Sequence, residues 1–531
     1  MKLQNFRSYK NEVEIKFDDF TAIIGKNDAG KTTVLEALDI FFNEAQIDKN
    51  DINVENIHDN SEIVISVSFK DLPQSIVIDK NVSTTLQDEY LLNENGELEI
   101  IKKYPNAEKP KIYIRAMQPK NSICQNLLIK KQNDLQKILQ DNQIDTNNID
   151  LRQNSQMRKK IYEHFSNNSS LSVVEIELNK EDAKNIWEKL KTYMPTYFLF
   201  KSDRQNTDKD SEVQEPLKIA VKEFLENNEN IKIQLNDIAE QVKKYVSQVS
   251  EKTLEKLQEI DKTIANTLHP QINVDGLKWQ DVFKGISIAG DSDIPINKRG
   301  SGIKRLVLLS FFRAKVEQKI MEKQQTVIYA IEEPETSQHT NKQELLIETL
   351  KQLSQNQNTQ VIITTHSSVV VRNLQFDNLR IVVDDETYKT GKSIENAKQG
   401  LLSYPSLNEI NYLVFDDISE AYHDELYSEL EIKGAFDDKN EDNFKKGKDT
   451  KKYKRECQSC KKGEKHKKQE EHVNGIRIDD LIKTEIIRHQ IHHPENKLND
   501  RFTQEELKNS IELMREFLLK NTVCNTKQQS F

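Results

Sequence analysis

The sequence predicts an α/β fold, and four stretches carry that prediction. Phe20-Thr21-Ala22-Ile23-Ile24 is a short apolar, partly β-branched run that reads as a strand. Gly25-Lys26-Asn27-Asp28-Ala29-Gly30-Lys31-Thr32-Thr33 fits the pattern G-x-x-x-x-G-K-[ST], and Thr33–Phe42 continues with helical spacing. Two later buried-strand runs, Thr326–Ile331 and Gln360–Thr365, end directly in ionisable residues. A strand, a glycine loop and a helix in this order aim backbone N–H groups and the positive helix end at an anion. The loop therefore predicts a nucleoside triphosphate as ligand. Gly25, Asn27, Gly30, Lys31, Thr32 and Thr33 are the candidate nucleotide-binding residues. Lys31 would reach the β- and γ-phosphates, and Thr32 would offer its hydroxyl to Mg²⁺.

Bulk properties set outer bounds. A chain of 531 residues accommodates two or three cooperating units. A mean hydropathy of −0.75 and 31% charged residues describe a very soluble protein. No apolar run approaches the roughly 18 to 20 residues that span a bilayer. The N-terminus has no apolar signal core, and four cysteines are too few for a disulfide framework, so a cytoplasmic location is expected. The net charge of −10 excludes a uniformly basic nucleic-acid coat but leaves room for a local basic groove, so a nucleic-acid contact stays open.

Taken in order, residues 1–24 read as two strands, Met1–Phe6 and Glu12–Ile24, joined by a turn at Ser8–Asn11. Arg7, close ahead of the phosphate loop, is either a nucleotide or DNA contact or a surface arginine. Glu62–Phe69 and Lys111–Arg115 alternate as strands, whereas residues 118–160 read as polar loops and helices peripheral to the core. Tyr197–Phe200 reads as a buried aromatic strand, followed by Arg204 and Gln205, which are either γ-phosphate sensors or plain loop residues. Residues 214–266 contain no Gly and hold apolar positions at helical spacing, which predicts a helical arm.

Thr326–Ile331 ends in Glu332-Glu333-Pro334-Glu335. Carboxylates at the tip of an apolar strand are costly unless they hold a metal or polarise water. Glu332 is accordingly assigned to Mg²⁺ and Glu333 to the attacking water. Gln360–Thr365 ends in His366, whose imidazole would sense the γ-phosphate. Ahead of both strands, Gly300-Ser301-Gly302 opens an apolar helix, a second anion-binding geometry. One nucleotide does not need two such turns from one subunit. Ser301 and Gly302 are therefore expected to cap the nucleotide held by a partner subunit.

The order of phosphate loop, signature turn, Glu-Glu strand and switch histidine resembles the ABC-type ATPase heads of the RecF, Rad50, SMC and OLD (overcoming lysogenisation defect) group. Two runs, Gly300-Ser301-Gly302-Ile303-Lys304-Arg305 and Ile331-Glu332-Glu333-Pro334-Glu335-Thr336, resemble the OLD-like branch in particular. That branch includes ATPase subunits of the Septu, Gabija and PARIS anti-phage systems. The resemblance covers roughly residues 1–390. It implies two heads sandwiching two ATP molecules, with Ser301 and Gly302 completing the site in trans. Most ABC proteins carry Asp where this chain has Glu332, a replacement common in the OLD-like branch.

Many OLD-like proteins continue into a Toprim nuclease, which needs carboxylates on successive strand ends. The nearest approach here, Val414-Phe415-Asp416-Asp417, is followed by a helical Ser419–Leu430 instead. Ile381–Asp385 reads as the last core strand and its turn. Residues 436–475 are a lysine-rich linker containing Cys457 and Cys460, with His466 and His472 beyond, so a zinc site and a solvated linker are both open. Ile476–Ile491 and Gln504–Leu519 read as helices, the second N-capped by Thr503 with Glu505 and Glu506 in its first turn. Arg488 and His493 resemble the R-x(4–6)-H motif of HEPN ribonucleases, in which His is the acid/base and Arg stabilises the phosphate. A basic helix end that docks a partner protein is the alternative.

The expected organisation is an ABC-type head with an N-terminal lobe over 1–213, a helical arm over 214–270, a C-terminal lobe over 271–395, and a mostly helical region over 396–531. ATP and Mg²⁺ are the expected cofactors. The expected partners are a second copy through the heads and a nuclease or regulatory protein on the C-terminal region, with no membrane. Three functions follow: an ATPase gating a partner nuclease in anti-phage defence, a self-contained HEPN-like ribonuclease, or a RecF/Rad50-like repair ATPase.

Overall fold

The computed structural model describes residues 1–56, 61–79, 82–124, 127–166, 170–179, 183–201, 326–336, 340–384, 391–433, 472–473, 476–495 and 501–528, with single residues between 228 and 248. The expectations for Arg204, Gln205, the full arm, Ser301, Gly302, Cys457, Cys460 and the basic linker lie outside the described residues.

The first strands are β1 (Lys2–Gln4), β2 (Val13–Glu14) and β3 (Phe20–Ile24), followed by α1 (Lys31–Asn43). Then come β4 (Glu62–Phe69), β5 (Ile76–Asp79), β6 (Val82–Thr84), β7 (Leu98–Pro105) and β8 (Lys111–Pro119). Helices α2 (Gln132–Asp141) and α3 (Asn154–Ser166) precede β9 (Leu171–Glu177), α4 (Ala183–Lys191) and β10 (Thr196–Phe200). Beyond residue 325 lie β11 (Val327–Glu332), α5 (Thr340–Ser354), β12 (Thr359–Thr365), α6 (Ser368–Arg372), β13 (Leu379–Asp384) and β14 (Lys392–Asn396). The C-terminal region holds α7 (Leu407–Phe415), α8 (Glu420–Ile432), the two-residue strands β15 (His472–Val473) and β16 (Ile476–Arg477), α9 (Ile478–His492) and α10 (Gln504–Gln528).

Among the described residues, two six-stranded sheets organise the α/β part, in the orders β2-β1-β4-β7-β8-β9 and β10-β11-β12-β3-β13-β14. In the second, β13 runs parallel to β3 with Leu379 opposite Ala22, and β14 returns antiparallel to β13. A strand thus follows the segment expected to be the last of the core. The chain divides into two compact units, one of Met1–Tyr197, Thr326–Ile328 and Ile362–Phe531, the other of the described residues within Phe198–Gln325 and Tyr329–Val361.

The first unit corrects the expected single strand over Glu12–Ile24. Its two ends belong to different sheets, β2 beside β1 and β3 beside β13. Asp18 turns the chain between them: its N–H donates to Thr21 Oγ1 at 2.9 Å, and its carboxylate holds Arg380 at 2.6 Å. Strand β7 was not expected, because its buried set includes Glu99 and Lys102 among Leu98, Ile100 and Ile101. Both are satisfied internally. Glu99 accepts from Ser66 Oγ at 3.0 Å and Asn93 Nδ2 at 3.1 Å, and Lys102 Nζ donates to Phe41 O at 2.7 Å, at the negative end of α1. Burial lowers Lys102 to about 8. In the second unit, Tyr329 stacks on Phe198 at 5.9 Å and on Phe200 at 6.5 Å, while α5 buries Leu346, Ile347, Leu350 and Leu353.

The C-terminal helices of the first unit share an apolar core that includes Tyr422, Leu426, Ile487, Leu507, Ile511 and Met514. Helix α10 begins with a capping box: Glu506 N–H donates to Thr503 Oγ1 at 3.2 Å, and Thr503 N–H donates to Glu506 Oε2 at 2.9 Å. Within this core His423 lies 2.9 Å from Ser510 Oγ through Nε2, and Ser510 donates onward to Thr484 Oγ1 at 2.8 Å. Burial pulls His423 down to about 4, opposed by Asp424 and aided by Arg488. Its folded-state value lies below its unfolded value of 6.5, so the neutral ring's stabilisation is complete above about pH 6.5 and is lost as pH falls toward about 4. The stability of the C-terminal helices against urea is expected to fall by on the order of 3 kcal/mol as pH drops through that window, and His423→Gln is expected to flatten this part of the pH dependence.

Candidate functional site

The phosphate loop joins β3 to α1 in the first unit. Gly30 takes a left-handed backbone (φ 97°) as the residue before α1, and as a glycine it brings no side chain of its own to the helix start. The first-turn N–H groups of a helix are the donors that an anion at its N-terminus uses. Lys31 is only 4% exposed, and its Nζ donates to Gly25 O and Lys26 O, each at 2.9 Å. A buried ammonium needs hydrogen-bond acceptors, and the loop's own carbonyls supply them. Thr32 is half-buried and Thr33 buried, and Asn27 is exposed on the loop.

The residues ahead of β3 support this loop. Tyr9 is fully buried and its hydroxyl donates to Gly30 O at 3.0 Å, with burial raising its pKa. A Cβ on Gly30 would meet Ser8 Oγ at 2.7 Å, and one on Gly25 would meet Ala29 and Val382 at 3.2 and 3.3 Å. Gly30→Ala combines that clash with an unfavourable φ, so it is expected to cost about 1–2 kcal/mol of stability and to lower nucleotide affinity at least about tenfold. Thermal unfolding and nucleotide titration of the variant test both numbers. Neither Tyr9 nor Ser8 stands out in the sequence, because their role depends on a hairpin contact (Phe6 opposite Tyr9) rather than on a motif. Arg7 is engaged within the chain: Nε donates to Asp51 at 2.8 Å, and a guanidinium nitrogen pairs with Glu36 of α1.

The remaining candidates stand at strand ends. His366 is exposed and follows β12, the neighbour of β3 in the sheet. Ser367 then caps α6, accepting from Val370 N–H at 3.4 Å. Glu332 is the last residue of β11 and Glu333 the first beyond it, both half-buried and both in the second unit. Glu333 adopts φ 41°, in the left-handed region that few non-glycine residues occupy. Its carbonyl accepts from Thr336 N–H at 3.1 Å, closing a turn that carries the carboxylate. Among the described residues no cluster of three or more His, Cys, Asp or Glu is arranged to hold a metal ion. A threonine hydroxyl and a carboxylate are hard oxygen donors of the kind that Mg²⁺ takes when most of its ligands are phosphate oxygens and water.

Arg488 and His493 have different surroundings. Arg488 donates to Glu431 at 2.5 Å, lies 3.5 Å from Asp424, and stacks 4.1 Å from the Tyr427 ring centre. His493 lies beyond the end of α9, 3.3 Å from Glu495. Arg488 thus fastens α9 to α8, whereas His493 stays at an exposed helix end.

A model of the AAA ATPase domain family matches residues 1–371. Among solved structures, an SMC head domain from Thermotoga maritima is similar at 13% identity and a TM-score of 0.31, over 75% of this chain and 98% of that one. An SMC head bound to the C-winged helix domain of ScpA is similar at 12% identity and a TM-score of 0.35, over 74% of this chain and 95% of that one. An SMC head with an extended coiled coil, bound to the C-terminal domain of ScpA derived from Pyrococcus furiosus, is similar at 12% identity and a TM-score of 0.33, over 78% and 98%. No curated protein matches the chain. With its phosphate loop and more than half its length inside the matched region, the chain belongs to the AAA ATPase domain family.

Proposed function

We propose that the protein hydrolyses ATP and that two copies close over two nucleotides, Ser301 and Gly302 of each copy completing the site of the other. The buried Lys31, held against Gly25 and Lys26 at the start of α1, is the observation that carries this reading. The loop N–H groups and Lys31 bind the phosphates, and Thr32 and Glu332 would hold Mg²⁺, which neutralises phosphate charge when bound. Glu333 accepts a proton from the attacking water as the water's oxygen bonds to the γ-phosphorus and the bond from that phosphorus to the β–γ bridging oxygen breaks. His366 senses the γ-phosphate. The test is phosphate release together with mass by light scattering. Mg²⁺-dependent hydrolysis and ATP-dependent doubling of mass are expected, and a protein that neither hydrolyses ATP nor changes mass overturns the reading.

The same cycle is proposed to gate a partner nuclease, docked on residues 396–531, in bacterial anti-phage defence. Support comes from the OLD-like resemblance of residues 300–305 and 331–336, and from the engagement of Arg488 by Glu431 and Asp424, which favours a nuclease supplied by the partner. A nuclease encoded beside this chain should cut nucleic acid only with the chain and ATP present; cutting that ignores both rejects the gating.

A further inference from the structure

The turn between α7 and α8 reaches the phosphate loop. Asp416 Oδ2 lies 2.5 Å from Lys26 Nζ, the side chain next to the loop's first glycine, and both groups are largely exposed. Lys26 is also tied to the loop's geometry through its carbonyl, which accepts from Lys31 Nζ at 2.9 Å and from Ala29 N–H at 3.2 Å. Two further contacts join the same turn and helix to α6, directly after His366. Asp417 pairs with Arg372 at 2.5 Å, and the buried Asn411 of α7 donates to Ser368 O at 3.1 Å.

Two features argue that Asp416 is more than a surface partner. It ends α7 at φ 56°, a left-handed C-cap that Gly occupies at least cost, so the carboxylate is present despite the backbone preference. It also adds to a second acid near the same lysine: Asp384 is held below the usual carboxylate range first by its hydrogen bond to Lys392 and also by the charge of Lys26. An exposed ion pair contributes little to stability, on the order of 0–1 kcal/mol, and is therefore easily exchanged. The several negative charges of a nucleotide's phosphates, arriving at the same loop, both attract Lys26 and repel Asp416.

We propose that Asp416 is a built-in competitor for the phosphate loop. It holds Lys26 until nucleotide phosphates displace it, and Asp417 and Asn411 carry the displacement to α6 and the C-terminal helices. The inference rests on the nucleotide-binding reading above and deepens it by naming a regulatory contact.

The test is calorimetric titration of the full chain with the slowly hydrolysed analogue ATPγS and Mg²⁺ at low and at 0.5 M salt. Asp416→Asn keeps a residue that tolerates the left-handed cap, so it leaves the fold intact. It is expected to tighten binding about three- to tenfold at low salt and much less at high salt. Lys26→Ala should weaken binding and reduce the effect of Asp416→Asn to under about twofold. Hydrogen exchange over residues 407–432 should rise on ATPγS binding in the wild type and be insensitive to it in Lys26→Ala. Wild-type protein that binds no ATPγS overturns the nucleotide reading itself. Wild-type binding with Asp416→Asn unchanged, with an equal effect in the Lys26→Ala background, or with no exchange response in 407–432 overturns the competitor alone.

Discussion

Lys31→Ala is expected to lower ATP affinity by about 100- to 10,000-fold, the loss of two charge-assisted contacts to phosphate worth about 1.5–3 kcal/mol each. Lys31 is nearly fully buried and donates to Gly25 O and Lys26 O, so its removal also takes a donor from two loop carbonyls. That second effect is structural and must be separated from the first. Far-UV circular dichroism reports whether α1 survives, and nucleotide titration reports the contact. A folded Lys31→Ala protein that binds ATP within about threefold of wild type would show that the nucleotide sits elsewhere.

Glu333→Gln is expected to slow hydrolysis by about 10²- to 10⁴-fold with ATP binding retained, because the amide cannot accept the water's proton. In the two-headed mechanism this variant accumulates as an ATP-bound dimer, visible as a doubled mass that persists after free ATP is removed. Glu333→Gly supplies the complementary control. At φ 41° a non-glycine residue carries about 1–2 kcal/mol of backbone strain, which glycine relieves. A variant as stable as wild type, or more so, yet without hydrolysis would mean that the strained residue is kept for its carboxylate. Equal hydrolysis by wild type and Glu333→Gln would remove Glu333 from the chemistry.

What the sequence revealed followed the range of the interactions involved. The strand, loop and helix around Gly25–Thr33 were legible because each signal is local: an apolar run, a glycine with a left-handed φ, and helical spacing. Strand β4 was read with its bounds of Glu62–Phe69 because alternating apolar residues match a half-buried strand. Strand β7 escaped because Glu99 and Lys102 each have a partner more than thirty residues away in sequence, Ser66 and Phe41, which no local pattern encodes. The same limit applied to Arg488: its spacing to His493 was visible, but its carboxylate partners Asp424 and Glu431 lie on another helix. Tyr9 and Asp416 act on the phosphate loop from outside the motif, so only the folded arrangement exposes them.

The matched family region ends at residue 371, but β3's neighbour β13 begins at Leu379. Strand β13 lends Val382 to the packing around Gly25 and Arg380 to the turn at Asp18. A protein truncated at the homology boundary would therefore leave one side of β3 as an open ladder of unpaired N–H and C=O groups flanked by Ala22, Ile23 and Ile24. Such a strand recruits other chains, so the truncated protein should self-associate into aggregates rather than behave as a minimal ATPase. The smallest transplantable piece of this sheet extends through β14, at Asn396.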